Sequence, residues 1–266
     1  MGDRKSKHRE RSKVPEIAVA FWILKLVVTA LGWMVGEFIA AKLGGGATGF
    51  FPLGGLVILA GSAIGIAVLV WVQLSARRFD RWIYWLTMLA ATISGAGLSS
   101  FAHLANASGF PAGALILLVC LGTVLFAWQK TMGAINVEKV GTLQLQAFYW
   151  VAILFAQALG IELGDYVAGV GLGYSGGAAL FVLLVGAIAY ANFKDLAGGL
   201  PSFWAAFVLS VPLAMALSDF LLEPLGHGGL ELSPSSGGIV LILVTVGLVY
   251  ILPQRSSSRS SKRSKA

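Results

Sequence analysis

Long apolar runs alternate with short polar joins along the whole chain. Eight such runs lie near residues 16–42, 52–74, 81–105, 111–129, 145–169, 176–193, 201–222 and 237–252. About 20 apolar residues are enough for a helix to cross the hydrocarbon core of a bilayer. The runs are continuous and do not alternate at every second residue, so transmembrane β-strands are not expected. The pattern predicts an all-α polytopic membrane protein with eight transmembrane helices.

The composition excludes a soluble domain. Of the 266 residues, 57% are hydrophobic and only 12% are charged, and the mean hydropathy is +0.83. A soluble chain of this size could not hide so much apolar surface. The first run is too long for the core of a signal peptide, so it is interpreted as a retained helix. Cys120 is the only cysteine, which rules out an intrachain disulfide and a thiolate metal site, and it is interpreted as a packing residue.

The basic residues predict how the chain is oriented. Seventeen of the 19 Lys and Arg residues, all except Lys25 and Lys42, lie in the tails 1–13 and 254–266 or in the joins after the second, fourth and sixth runs. The positive-inside rule therefore predicts cytoplasmic termini and a multi-pass protein of the bacterial plasma membrane. The basic tails are expected to be disordered and to attract anionic lipids. No groove-reading element is present, so nucleic acid is not an expected partner, and the oligomeric state is not indicated.

A repeated signature divides the membrane domain, residues 14–253. An aromatic residue followed by Trp occurs four times, at Trp22, Trp85, Trp150 and Trp204. Fifteen residues after each Trp stands Glu37, Ser100, Asp165 or Asp219, between a small residue and an aromatic one. The four units lie near residues 14–78, 79–131, 143–195 and 198–253. Each unit is predicted to be a helical hairpin, and the four are expected to be related by rotation about an axis along the membrane normal.

On these residues the chain resembles a bacterial integral membrane family built from four tandem two-helix repeats of unknown function. The resemblance rests on Phe21-Trp22 with Leu31-Gly32 and Gly36-Glu37, on Tyr149-Trp150 with Leu159-Gly160 and Gly164-Asp165, and on Phe203-Trp204 with Leu213 and Asp219. It spans about Lys13 to Pro253. The resemblance implies the architecture and a plasma-membrane location, but no activity. The second unit departs from the pattern because Ser100 stands where an acid is expected.

The positions ten and fourteen residues after each Trp are small in every unit. They are Gly32 and Gly36, Gly95 and Ser99, Gly160 and Gly164, and Ala214 and Ser218. Small residues four apart share a helix face and let helix backbones approach closely within a membrane. The pattern predicts that the odd-numbered helices form an inner bundle. The four Trp residues are expected near the cytoplasmic starts of their spans, either as anchors at the headgroup level or as a gating ring.

The repeated acids carry the strongest functional signal. Fifteen residues of helix rise by about 22 Å, so Glu37, Asp165 and Asp219 are expected toward the outer ends of their spans. They are either solvated at the outer interface or directed into a cavity. At hydrocarbon depth each would cost about 2.5–3.5 kcal/mol to insert, which favours a cavity or a partner. Glu162 lies three residues before Asp165, so one of the two carboxylates is expected to have a raised proton affinity or to share a cation with the other.

Three other residues within the spans suggest chemistry. Lys25 either extends to the cytoplasmic face, or pairs across the bundle, or binds an anionic solute. His103 follows Ser100 by three residues and is interpreted as a substitute for the missing acid or as a polar helix end. Pro212 is expected to bend the seventh helix and to free backbone carbonyls near Asp219.

Two functions fit this sequence. The first is a transporter of a cation or of a proton-coupled small solute. Its ion- or substrate-binding residues would be Glu37, Glu162, Asp165, Asp219, Ser100, His103 and Lys25. The alternative is a membrane scaffold or assembly factor that transports nothing. An enzyme is not expected because no nucleophile–base pair, zinc-protease motif or phosphate-binding loop is present. No cofactor is expected, and the identity of a metal is not indicated.

Overall fold

The computed structural model describes residues 12–42, 52–75, 79–103, 111–133, 135–196, 199–227 and 229–254. Eight helices occupy these ranges: α1 (Val19–Lys42), α2 (Pro52–Ser75), α3 (Arg81–His103), α4 (Ala112–Met132), α5 (Leu143–Val167), α6 (Gly173–Phe193), α7 (Leu200–Leu222) and α8 (Pro234–Ile251). Every boundary lies within three residues of the one predicted from the sequence. The described ranges contain no β-strand, which confirms the all-α prediction. The predicted disorder of the tails concerns residues that lie largely outside these ranges.

The helices have the length and composition of membrane spans. Seven contain segments that are long and apolar enough to cross a bilayer, and α2 contains the apolar segment Ala60–Gln73. A short π-helical turn, Ala168–Leu172, joins α5 directly to α6. Gly171 within this turn has a φ of 101°, a conformation that a residue with a side chain rarely adopts. The helical path is therefore interrupted between these two helices at Gly171, without a long loop.

Helices α1, α3, α5 and α7 form a closed inner bundle. Each packs against the next, and α7 packs against α1. Glycine allows the close approach at three of these interfaces. A Cβ atom built on Gly32 would lie 2.7 Å from Thr92 Cβ, one on Gly95 would lie 2.8 Å from Gln157 Cβ, and one on Gly160 would lie 2.5 Å from Val211 Cβ. In each case the residue ten after one Trp meets the residue seven after the next unit's Trp.

The even-numbered helices lie outside this bundle. Helix α2 packs mainly on α3, α4 on α5, α6 on α7, and α8 on α1. Each outer helix thus contacts the inner helix of the next sequence unit more extensively than that of its own unit. For α8, in the last unit, this inner helix is α1 of the first unit. Large apolar side chains on the outer helices are exposed, among them Val119, Leu183 and Leu243. Such faces suit contact with lipid, whereas many polar residues of the inner helices, among them Lys25, Gln157 and Glu162, are buried in protein.

Candidate functional site

The four aromatic–Trp pairs pack into a single aromatic layer at one end of the inner bundle. The ring centroids of Phe21 and Trp85 are 5.8 Å apart, and those of Tyr84 and Trp150 are 5.3 Å apart. Trp85, Trp150 and Trp204 are buried and Trp22 is partly buried. The interpretation of the three buried indoles as headgroup anchors is therefore wrong, because protein encloses them. A role of this layer as a gate stays a prediction.

Lys25 is fully buried next to the aromatic layer. Its Nζ donates to the Phe207 carbonyl at 2.9 Å and to Ser210 Oγ at 2.6 Å, and it lies 4.5 Å from the centroid of the Phe207 ring. Extension of the side chain to the membrane surface does not occur. The alternative of pairing across the bundle matches the structure, but the partners on α7 are neutral oxygens and not carboxylates.

Pro212 lies within α7, which continues as a helix to Leu222. Since proline has no N–H, the Val208 carbonyl four residues earlier lacks its usual helical donor. Gly160 of α5 packs against this carbonyl, and a Cβ atom built there would lie 2.6 Å from Val208 O. The carbonyl released by Pro212 therefore faces the contact between α5 and α7. The sequence had suggested that it would lie near Asp219, and this expectation is wrong.

The Lys25 side chain should contribute to stability mainly through its volume. We expect Lys25→Ala to lower the free energy of unfolding by about 2–5 kcal/mol, because it leaves a cavity in the bundle. Lys25→Met keeps most of the side-chain volume, and Ser210 Oγ still donates to the Phe207 carbonyl at 2.8 Å. We expect a much smaller loss for this variant, because neither former partner of Lys25 is left without a hydrogen bond. Denaturant unfolding in detergent micelles measures both variants. Equal decreases in the free energy of unfolding for the two variants would show that the hydrogen bonds to α7 contribute more to stability than the packing of the side chain does.

The repeated acids lie toward the end of the bundle opposite to the aromatic layer. Glu37, Asp165 and Asp219 belong to three inner helices, α1, α5 and α7, and each is partly buried. The charge of Asp165 interacts with those of Glu162, Glu37 and Asp219, and the charge of Asp219 also interacts with that of Glu37. No described lysine or arginine forms an ion pair with Glu37, Asp165 or Asp219. The four predicted acids thus lie close enough together in the structure for Asp165 to interact electrostatically with the other three.

Glu162 is the buried member of this group, with an exposed fraction of 1%. Ser99 donates its hydroxyl to Glu162 Oε2 at 2.9 Å, and His103 Nδ1 lies 3.3 Å from Glu162 Oε1. The His103 side chain is 63% exposed, so it links the buried carboxylate to the surface of the bundle. Gly113 of α4 leaves room for this contact, because a Cβ atom there would lie 3.0 Å from Glu162 Oε1.

Ser100 does not join the acids. It is exposed, and its hydroxyl donates to the Ala96 carbonyl of its own helix at 2.9 Å. The adjacent Ser99, which the sequence assigned to helix packing, makes the contact with Glu162 instead. One residue corresponds to a rotation of about 100° around a helix, which is enough to move a side chain from one helix face to another.

A small cavity of about 20 Å³ lies between α5, α6 and α7. Gly164, Pro212, Met215 and Asp219 are among its lining residues, and Asp219 is the only acid in its wall. This volume is enough for about one water molecule. In the described part of the chain, no three His, Cys, Asp or Glu side chains are close enough together to hold a metal ion. The acids therefore interact electrostatically with one another, but the described residues do not form a metal-ligand shell.

One group of buried polar residues was missed by the sequence interpretation. Thr29, Thr92 and Gln157 each lie seven residues after a Trp and form a polar layer between the acids and Lys25. A signal was present, because three of the four units have a polar residue at this position and the fourth has Val211. The signal was weak, since threonine is common within apolar helices and only Gln157 is strongly polar.

Comparison with known proteins does not add a homologue. No protein-family model, curated protein or solved structure matches this chain.

Proposed function

We propose that the protein is an integral membrane transporter of a cation or of a proton-coupled small solute. The observation that carries this proposal is the group of Glu37, Glu162, Asp165 and Asp219 at one end of the inner bundle. Their carboxylates repel one another, and the His103 imidazole lies beside one of them, with Nδ1 3.3 Å from Glu162 Oε1. Partial burial strengthens this repulsion, because charges interact more strongly away from water. Such an arrangement favours uptake of a positive charge.

The geometry narrows the class of ligand. A dehydrated divalent metal ion usually requires several oxygen ligands at short distances. The described acids do not form such a shell, so this arrangement favours a proton or a cation that keeps part of its water. The proposed cycle begins when the acids bind the ion from the outer side. His103, which is exposed and contacts Glu162, provides a polar entry to the buried carboxylate.

We also propose the membrane orientation that the basic residues predict. Several contacts support a common face for the two ends of the described chain. Lys13 N donates to the Val140 carbonyl at 2.9 Å, Gln73 Nε2 donates to the Lys13 carbonyl at 2.7 Å, and Trp85 Nε1 donates to Gln254 Oε1 at 2.5 Å. This face carries the aromatic layer, and it would be cytoplasmic. The repeated interlocking of the inner helices supports four related units, as the family resemblance implies.

The orientation predicts which cysteines react from each side. In a Cys120→Ser background, Ser235→Cys should react with an impermeant maleimide added outside cells. Lys139→Cys should react only after the membrane is permeabilised, because the join that carries it follows an even-numbered span. Both parent side chains are exposed, so each label can reach its target. Reaction of the Lys139→Cys protein in intact cells would contradict the proposed orientation.

Transport can be tested directly with purified protein in lipid vesicles. We expect the protein to accelerate the flux of at least one member of a panel of protons, alkali cations and divalent cations over protein-free vesicles. Glu162→Gln should remove most of this flux, because it neutralises the buried acid while keeping its shape. Glu231→Gln is the matched control, since Glu231 is exposed on the loop between α7 and α8. Absence of flux for the whole panel would refute a transporter of this class.

One observation favours the alternative of a membrane scaffold. The inner bundle is filled by side chains at the levels of the aromatic layer and of Lys25, and its residues Tyr84, Tyr149 and Phe207 are among the largest that are fully buried. A scaffold needs such a packed interior and no passage. In that case the acids would form hydrogen bonds at the ends of the helices or bind neighbouring chains, and the vesicles would show no flux.

A further inference from the structure

Gln157 is the centre of a polar layer inside the apolar inner bundle. Its Nε2 donates to Thr92 Oγ1 at 2.7 Å and lies 3.3 Å from Thr29 Oγ1. The three side chains come from α5, α3 and α1, and all three residues are fully buried. We call these residues the Gln157 layer. Gly95 of α3 makes room for it, because a Cβ atom there would lie 2.8 Å from Gln157 Cβ.

The hydrogen bonds fix the orientation of the Gln157 amide. Thr92 Oγ1 donates its only hydrogen to the Met88 carbonyl at 3.1 Å, so it can only accept from Gln157. The amide nitrogen must therefore face Thr92. Gln157 Oε1 has no hydrogen-bond partner among the described residues, although it is fully buried. An acceptor in this situation has lost its hydration without replacement, which is uncommon in folded proteins.

The position of the layer relates it to the acids. Gln157 precedes Glu162 by five residues and Asp165 by eight on the same helix, which corresponds to about 7.5 and 12 Å of helix rise. On α1, Lys25 precedes Thr29 by one turn, about 6 Å in the opposite direction. Polar groups therefore recur along the bundle from the acids through the Gln157 layer to Lys25.

We propose that the Gln157 layer is an inner binding station for a cation or a hydrogen-donating group that has passed the acids. This inference rests on the proposed transport function. The groups available there are the carboxamide oxygen and two hydroxyl oxygens, and neutral oxygens of this kind attract positive charge and N–H or O–H donors. Lys25 Nζ can only donate hydrogen bonds, and both of its partners lie on α7. It therefore marks the limit of the station on the side of the aromatic layer.

Cysteine accessibility tests the station without knowledge of the solute. Gln157→Cys and Thr92→Cys are made in a Cys120→Ser background and placed in lipid vesicles. Each protein is exposed, from the face that bears the acids, to 2-aminoethyl methanethiosulfonate, which is cationic, or to the anionic 2-sulfonatoethyl reagent of similar size. We expect the cationic reagent to modify both cysteines about tenfold faster or more, because the acids concentrate cations.

Two further variants serve as controls. Leu183→Cys replaces a side chain of α6 that is 71% exposed on the outer surface, and it should stay unmodified because a thiol in lipid is not ionised. Ile153→Cys lies one turn beyond Gln157 on α5, at the level of Lys25 and fully buried, and it should also stay unmodified. Thr92→Cys changes the side-chain volume little, so it keeps the test valid if Gln157→Cys does not fold.

The outcomes separate this inference from the transport proposal. No modification of a folded Thr92→Cys protein, or equal rates with both reagents, would overturn the binding station even if Glu162→Gln abolishes flux. Selective modification by the cationic reagent in a protein without measurable flux would support the station and refute transport. Modification of Ile153→Cys at the rate of Gln157→Cys would also overturn the station, because it would indicate general opening of the bundle.

Discussion

Asp165→Asn is expected to abolish ion-dependent flux while leaving the protein as stable as the parent, or more so. Asp165 interacts with the charges of Glu162, Glu37 and Asp219, so it is the best connected of the repeated acids. Loss of one charged contact to a bound cation should cost about 1.5–3 kcal/mol, or roughly 10–100-fold in affinity. The same change removes repulsion by Glu162, Glu37 and Asp219, which outweighs the lost attraction to His103. No described lysine or arginine loses an ion-pair partner. Vesicle flux and thermal unfolding together measure both effects.

Ser100→Asp is the matched comparison for this experiment. It places an acid at the equivalent position of the second unit, fifteen residues after Trp85. Because Ser100 is exposed and turned away from Glu162, we expect little change in affinity or selectivity. A large change would mean that all four repeated positions converge during transport. Asp165→Asn with unchanged flux would remove Asp165 from the binding site.

Gly160→Leu is expected to prevent formation of the inner bundle. A Cβ atom at this position would already lie 2.5 Å from Val211 Cβ and 2.6 Å from Val208 O. Relief requires a shift of α7, since one of the two obstacles is backbone. Overpacking of this kind should reduce the free energy of unfolding by about 3 kcal/mol or more. Loss of the folded, monodisperse species would be detected by size-exclusion chromatography and thermal unfolding in detergent.

Gly122→Leu is the control for this substitution. Gly122 lies in α4, and a Cβ atom built there would have no neighbour within 4 Å. The extra side chain would project from the outer surface, where lipid can accommodate it. We therefore expect near-parental stability. Comparable losses for Gly122→Leu and Gly160→Leu would indicate that leucine disturbs helix insertion generally and that the α5–α7 contact has no special sensitivity.

The helices and their layers could be predicted from the sequence because they depend on strong, repeated signals. Hydrocarbon thickness sets the length of each run, which is why the predicted limits agree with those of all eight helices. The small residues after each Trp indicated which helices would pack closely. Gly32, Gly95 and Gly160 indeed lie where neighbouring helices leave no room for a side chain. These inferences need only the periodicity of one helix at a time.

The site was harder to predict because it depends on the rotation of each helix about its own axis. The sequence could not decide between Ser99 and Ser100, since adjacent positions differ only by about 100° of rotation. It left the direction of Lys25 open for a similar reason. A long side chain near a helix start can extend to water or cross to a neighbour, and the Phe207 carbonyl and Ser210 become available only through the packing of α7 on α1. Gln157 was missed because its partners lie on two other helices.

The placement of α8 against α1 has a consequence for biosynthesis. The first inner helix leaves the ribosome long before the outer helix that covers it, since almost 200 residues separate Lys42 from Pro234 and synthesis proceeds at about 5–20 residues per second. During that interval α1, with its buried Lys25, must wait within the membrane or the insertion machinery with one flank uncovered. Helix α8 then covers this flank of α1. A ribosome that stalls before α8 would thus leave a protein with an exposed inner helix, a substrate suited to membrane quality control.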